Sequence, residues 1–144
     1  MDIRRTVLVG ATLVLTVLLA ACANETADQS PEESDVLLDS EWVLTLLNGD
    51  ALIEDTKITL NFEETSLDGS AGCNTYGGSY TASEGSLSLS GVYATEMGCP
   101  EPQGILDQEQ AYLSALNAAA SFQVDGDQME VYDESGALTL AFVR

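Results

Sequence analysis

Cysteines and carboxylates are the residues of this chain whose types and number could do chemistry. The 144-residue sequence contains three cysteines, 24 Asp and Glu residues and no histidine. A reactive thiolate needs a base or a cation beside it, and glycoside hydrolysis needs two carboxylates a few ångströms apart. Without histidine, a Ser-His-Asp triad and every histidine-ligated metal or haem site are excluded.

The carboxylates predict an acidic surface rather than a catalytic pair. The formal net charge is −20, and only 4 residues are Lys or Arg. With so many acidic residues, some pair meets a catalytic distance by chance. The same charge excludes electrostatic binding to nucleic acid or to anionic lipid headgroups. No EF-hand, phosphate-binding or G-x-S-x-G motif occurs, so we expect no cofactor, no metal and no enzyme activity. A hydrolase with paired carboxylates stays as an alternative.

The first residues predict export. Two arginines precede an apolar run over residues 7–19, and the sequence Leu-Ala-Ala then ends directly before Cys22. This order is typical of a secretory signal, and the run is short for a membrane-spanning helix. The four residues ending at Cys22 resemble the bacterial lipobox. The resemblance implies a signal peptide over residues 1–21 and acyl chains on Cys22, with the Sec or the Tat route both open.

The cysteine count agrees with an oxidising compartment. If lipid occupies Cys22, then Cys73 and Cys99 remain as one pair. We predict a disulfide between them, which would stabilise the fold by about 3–4 kcal/mol in the chain-entropy model. A metal site is disfavoured because the chain has no C-x-x-C spacing, and a catalytic thiol is disfavoured because no cation lies near either cysteine in sequence.

The exported part divides into a tether and one domain. Residues 22–39 are polar and acidic, which predicts a flexible tether. Residues 40–144 contain short runs in which apolar and polar residues alternate, as in half-buried strands. The clearest of these runs cover residues 42–46, 58–62, 87–89, 129–131 and 138–142.

One segment has helical spacing instead. Apolar residues recur every three or four positions over residues 107–120, and Asp107 with Gln110 predicts a capping box at the start. About seven or eight strands, with one helix before the last three, predict a mainly β fold. In this fold a small curled antiparallel sheet is covered by the helix on one side or end.

The sequence GCNTYGGSY at residues 72–80 is the most distinctive stretch. Trp42, the Asn48-Gly49 turn, the sequence TEMGCP at residues 95–100, and Glu109 with Tyr112 stand in order around it. Together these blocks resemble the META domain of the HslJ heat-shock lipoprotein family, over residues 40–144. The resemblance implies a small barrel-like antiparallel sheet with one helix and does not imply an enzyme. Relatives are associated with stress tolerance, novobiocin resistance, secretion and motility.

The glycine-rich segment has two interpretations. In the first, its glycines supply turns and bulges of a tight hairpin, Asn74 bonds local backbone and the tyrosines pack on the sheet. In the second, the segment is a contact surface for a ligand or partner. The candidate contact residues are Gly72, Asn74, Tyr76, Gly78 and Tyr80.

We therefore predict a lipid-anchored, non-catalytic protein of the cell envelope that faces the periplasm or the exterior. It would contribute to envelope stress tolerance by binding. Its partners would be the membrane, through Cys22, and an unidentified envelope protein, for which a basic one would complement the charge. The alternative is an acidic periplasmic inhibitor or sequestering protein for a cationic enzyme or peptide. The ligand, the oligomeric state and the choice of inner or outer membrane stay open, and a saline habitat would also account for the acidity.

Overall fold

The computed structural model describes residues 36–38 and 41–144. The predicted signal peptide and Cys22 lie outside these residues. Within them the chain forms nine strands and one helix. In chain order these are β1 (Glu41–Leu47), β2 (Asp50–Ala51), β3 (Thr59–Phe62), β4 (Ser66–Ser70), β5 (Thr75–Ser83), β6 (Ser86–Ala94), α1 (Ile105–Asn117), β7 (Ala119–Asp125), β8 (Gln128–Asp133) and β9 (Leu138–Val143).

The strands form a closed antiparallel barrel, which confirms the predicted mainly β fold with one helix. Neighbours follow the order β2-β1-β3-β4-β5-β6-β7-β8-β9, and β1 also pairs with β9. Eight strands make the barrel, and β2 is a short extra strand on the end of β1. Tight turns connect most neighbours. Between β5 and β6, for example, Glu84 and Gly85 both adopt positive φ, as a two-residue hairpin turn requires.

Alternation along the strands places one face of each strand in a common core. In β1, Trp42 and Leu44 are buried while Glu41 and Thr45 are exposed. The same rule fills the barrel from the other strands, and α1 adds its inner face. The largest fully buried side chains are Trp42, Tyr112, Phe142, Leu37, Ile58, Leu60, Leu67, Leu87, Leu116, Met129, Leu140 and Val131.

Helix α1 differs from its prediction at both ends. It begins two residues before Asp107, and the residue that caps it is Gly104, at φ 87° with no side-chain cap hydrogen bond. The predicted capping box is therefore wrong. The helix ends at Asn117, because Ala119 already pairs with Asp133 of β8. No helix in the described residues has the length and hydropathy needed to cross a membrane.

Residues 36–38, assigned above to the tether, pack on the barrel instead. Leu37 is fully buried, and its carbonyl accepts a hydrogen bond from the Trp42 indole N–H at 3.4 Å. The guanidinium of Arg144 donates to the Val36 carbonyl at 3.0 Å and lies 4.9 Å from the Trp42 ring centre. The apolar sequence Val-Leu-Leu within an acidic segment is the signal that marks this contact.

Candidate functional site

Cys73 and Cys99 form the predicted disulfide. Their Cα atoms lie 5.9 Å apart, and 26 positions separate them in sequence. The bond joins the loop between β4 and β5 to the loop that leads from β6 to α1. Closing a loop of this length stabilises the fold by about 3–4 kcal/mol in the chain-entropy model.

Asn74, the neighbour of the disulfide, is buried and bonded through all of its side-chain polar groups. Its amide nitrogen donates to Glu109 Oε1 at 2.7 Å and to the Met97 carbonyl at 3.3 Å. Its Oδ1 accepts hydrogen bonds from the Thr95 hydroxyl at 2.8 Å and from the Met97 N–H at 2.7 Å. Asn74 therefore joins three segments of the chain, and no part of its side chain is left to recognise a ligand.

Glu109 carries a negative charge from α1 into this cluster. One carboxylate oxygen accepts the side-chain amide of Asn74, and the other accepts the Asn74 backbone N–H, both at 2.7 Å. The residue is only 8% exposed. A carboxylate with both oxygens engaged in charge-assisted hydrogen bonds is a positioning group. It fixes α1 against the start of β5.

A second buried contact connects α1 to the barrel through two tyrosines. The hydroxyls of Tyr76 and Tyr112 lie 2.6 Å apart, and the rings meet edge to face. Tyr76 donates to the Thr59 carbonyl at 2.9 Å, so Tyr112 donates to Tyr76. Burial raises the pKa of both phenols well above the ordinary value near 10. Gly69 makes the contact possible, because a side chain there would collide with the Thr59 carbonyl oxygen.

The remaining candidate contact residues also serve the hairpin. Tyr80 is 6% exposed, its hydroxyl donates to the Glu63 carbonyl at 2.7 Å, and burial raises its pKa. Gly72 has a φ of 106°, and Gly78 lies where an added Cβ would stand 3.1 Å from the Val92 side chain. The structure thus turns the Asn74, Tyr76 and Tyr80 side chains inward, as the first interpretation expects. The expected bonding of Asn74 to local backbone is wrong, because its partners are Glu109 on α1 and residues 95–97.

Gln108 is a buried residue that the sequence reasoning missed. Its Oε1 accepts the Ile53 N–H at 2.7 Å, and its amide nitrogen donates to Thr56 Oγ1 at 3.0 Å. These bonds connect α1 to the loop between β2 and β3. The available signal was helical spacing, because Gln108 lies four residues before Tyr112 and so shares the face that packs inward.

Asp133 and Asp127, in the turns on either side of β8, bond to neighbouring groups of the fold. The Asp133 carboxylate accepts hydrogen bonds from the Ser135 hydroxyl, the Ser135 N–H and the Ala137 N–H, which lower its pKa. Asp127 pairs with Arg144 at 3.4 Å. In the part of the chain that the structure describes, no group of three or more Cys, Asp or Glu residues is arranged to hold a metal ion.

The barrel has one gap, between β6 and β7. Within the described residues only Ser86 and Ser121 pair across it, whereas β5 pairs with β6 along both strands. Helix α1 packs beside β6, and its last residue, Asn117, lies at this gap. Two grooves of about 490 and 590 Å³ remain there, and both reach Asn117 at the end of the helix.

We call these two grooves together the β6–α1 cleft. The described residues that line it are apolar, polar and acidic, and none of them is Lys or Arg. The first groove is lined by Ala94, Thr95, Glu96, Leu106, Glu109, Gln110, Leu113, Ser114 and Asn117, and the second by Ser88, Leu89, Asn117, Ala118, Ala119, Asp133, Glu134 and Ser135. Leu106 is 44% exposed. Two further exposed apolar side chains, Tyr93 and Met97, lie next to the lining residues in sequence.

Comparison with known proteins places this fold among related chains. The family model for the META domain matches residues 35–144. An NMR structure of a protein from Burkholderia xenovorans is 32% identical, with a TM-score of 0.60 over 77% of this chain and 85% of that one. A second NMR structure shares the fold at 23% identity and a TM-score of 0.62, over 76% of this chain and 92% of the other. A search of curated proteins gives no match.

Proposed function

The chain belongs to the META domain family, and on this premise we propose that it is a lipid-anchored, non-catalytic protein of the cell envelope that acts by binding a partner. The observation that carries the proposal is the contrast between the bonded interior and the β6–α1 cleft. The buried polar groups around the disulfide are occupied within the fold, while the cleft presents exposed apolar side chains beside acidic ones.

Two features support the envelope location. The sequence that ends at Cys22 resembles a lipobox after a signal-like apolar run. The Cys73–Cys99 disulfide supports the same location, since disulfides persist in oxidising compartments and are rare in the cytosol. The contribution to stress tolerance rests on the family resemblance alone.

The polar interior supports a binding role over catalysis. In the described residues every buried side-chain nitrogen or oxygen has a hydrogen-bond partner. Glu109 is the one buried carboxylate there, and Asn74 occupies both of its oxygens. A general acid or base must reach its substrate, and this carboxylate is already committed.

The anchor is tested with the full-length chain expressed in a bacterial host. We expect the wild type in the membrane fraction, with acyl chains on Cys22 in intact mass spectrometry, and Cys22→Ser in the soluble exported fraction. Cys73→Ser with Cys99→Ser is the matched control, because it removes thiols without touching the lipobox and should stay in the membrane. An unmodified Cys22 in the wild type would overturn the anchor.

The binding role is tested by crosslinking in native envelopes. The tethered wild-type protein is crosslinked, captured, washed at low and at high salt, and read by mass spectrometry. We expect a specific envelope protein that is recovered in both washes. Recovery of nothing beyond what an unrelated lipoprotein captures would contradict the binding role.

A second candidate function is favoured by the charge. After residue 21 the chain carries 23 acidic and 2 basic side chains, a sum of −21. An acidic inhibitor or sequestering protein for a cationic enzyme would use this field to steer association. In the same crosslinking experiment, this second function predicts a single basic partner that is lost in the high-salt wash.

A further inference from the structure

We propose that the β6–α1 cleft binds an extended cationic peptide segment of a partner protein, which adds as a strand to the free edge of β6. This inference rests on the proposed binding function and names its site and the class of its ligand.

The backbone groups of β6 point alternately toward β5 and toward the cleft. The Thr95 N–H donates to the Thr75 carbonyl at 3.0 Å, so the backbone of Thr95 faces β5. In an antiparallel ladder successive residues face opposite sides, so the N–H and C=O of Ala94 point away from β5, toward the cleft. At the first residues of β6, the Phe122 N–H donates to the Gly85 carbonyl, and Ser86 pairs with Ser121. Leu87 is therefore the last β6 residue whose backbone faces β7.

The edge of β6 that faces away from β5 continues beyond its single residue pair with β7. Leu89 faces the same way as Leu87, but the chain opposite it is the end of α1 at Asn117 and Ala118, and no described strand pairs with it. Leu89 and Ala94 lie in the linings of the two grooves. An unpaired strand edge is a template for another strand, and an edge beside a helix has the geometry in which several recognition domains add a peptide strand.

The side chains that line the cleft favour one class of ligand. Apolar pockets beside a strand edge recognise alternate side chains of an added strand, and here Ala94, Leu106 and Leu113 supply the apolar surface. Glu96 at one end and Asp133 with Glu134 at the other give the cleft negative charge, and no cation stands among the described residues of its lining. A segment that alternates apolar residues with Lys or Arg complements both properties. A second copy of this acidic chain does not, because like charges would meet.

The test uses a labelled decapeptide of alternating Lys and Val residues and the purified full-length chain. We expect saturable binding and slower hydrogen exchange at the Leu89 and Ala94 amides when the peptide is bound. The same peptide with N-methyl groups on the residues that pair should bind about tenfold more weakly, since it keeps the charge and loses the ladder. Equal binding of both peptides, or unchanged exchange at these two amides, would overturn the proposal.

Variants locate the site. Ala94→Pro removes a backbone N–H that faces the cleft and not β5, so the barrel ladder is retained while binding falls about tenfold. Glu96→Lys should weaken binding about fivefold, and Glu64→Lys, an exposed acid in the turn between β3 and β4, should change it less than about twofold. Equal losses in Glu96→Lys and Glu64→Lys would show general attraction to an acidic surface and would overturn strand addition. The exchange measurement on the wild type decides the question if Ala94→Pro does not fold.

Two outcomes separate this inference from the proposed function. If envelope crosslinking captures a partner whose recovery Ala94→Pro and Glu96→Lys leave unchanged, the cleft is not the site, and the binding function stands. If nothing is captured and the peptide does not bind, both fail. A dimer in sedimentation that Glu96→Lys alters would assign the edge to a second copy and overturn the cationic ligand.

Discussion

The seam between β1 and β9 and the gap between β6 and β7 lie in the same barrel and are closed by different means. Between β1 and β9 the backbones pair along the strands. Beside this seam, Arg144 donates hydrogen bonds to the carbonyl of Val36, ahead of β1, and to the carbonyl of Gly126, in the turn before β8. Between β6 and β7 one residue pair remains, and helix α1 packs beside β6. A backbone ladder leaves no free polar groups. A seam with one residue pair leaves an edge that another chain can use.

Truncating the core at the β1–β9 seam should have the largest effect. Phe142 is 1% exposed and pairs with Leu44, so Phe142→Ala should lower the free energy of unfolding by about 3–5 kcal/mol through lost burial and a cavity. Val143→Ala is the matched control, because its side chain is 37% exposed and should cost less than about 1 kcal/mol. Urea denaturation measures both. Equal losses would show that the seam does not depend on the core.

Removing the carboxylate that fixes α1 against the start of β5 should come next. Glu109→Ala leaves the backbone N–H and the side-chain amide of Asn74 buried without their acceptor, at a cost of about 2–4 kcal/mol. Glu109→Gln keeps one acceptor oxygen and should cost about half as much. Urea denaturation with hydrogen exchange at β6 is the measurement. A loss under about 0.5 kcal/mol in Glu109→Ala would refute the assigned role.

Alkaline pH should loosen the same helix. Tyr76 and Tyr112 have folded-state pKa values above the unfolded value near 10, so their contribution is complete below pH 10 and is lost as pH rises above it. The free energy of unfolding should fall by about 1.4 kcal/mol per pH unit for each tyrosine. Replacing both with Phe should flatten this slope, although it lowers stability at neutral pH. A wild-type stability that is unchanged above pH 10 would contradict the buried pair.

The smallest effect on stability is expected for the hydrogen bonds of Arg144 beside the β1–β9 seam. Arg144→Met removes hydrogen bonds to the Val36 and Gly126 carbonyls and should cost about 1 kcal/mol. Lys57→Met removes a surface pair with Glu41 at 2.6 Å and should cost less than about 0.5 kcal/mol. Thermal melts compare the two. If both substitutions cost the same, Arg144 is an ordinary surface cation.

The strands were predictable because alternation is a pattern of neighbouring residues, and the disulfide was predictable from the number of cysteines. Trp42 and Leu44 stand two positions apart in β1 and are flanked by the exposed Glu41 and Thr45, and three cysteines with one assigned to lipid leave one pair. The ends of α1 were not predictable in this way. Asp107 and Gln110 match a capping pattern, but Gly104 turns the chain into the helix earlier, and pairing with β8 takes Ala119 from it.

The site was harder to predict because residue types that often bind ligands are buried here and bond within the fold. Asn74 and Tyr76 in a glycine-rich segment resemble a ligand-binding loop, and only the long-range contacts to Glu109 and Tyr112 show that they face inward. The cleft has no motif at all. It arises from strand register, since β7 stops pairing with β6 after one residue pair, and sequence periodicity carries no information about which strands become neighbours.

The contact of residues 36–38 with Arg144 has a mechanical consequence. A pull on the chain ahead of residue 36 meets the buried Leu37 and the Arg144 hydrogen bond to Val36 before it reaches β1. Beyond them the force runs along β1, whose hydrogen bonds to β3 and β9 lie across the strand and share the load. The barrel is thus loaded in shear from this end. By contrast, a strand drawn sideways from the edge of β6 would part from it one hydrogen bond at a time.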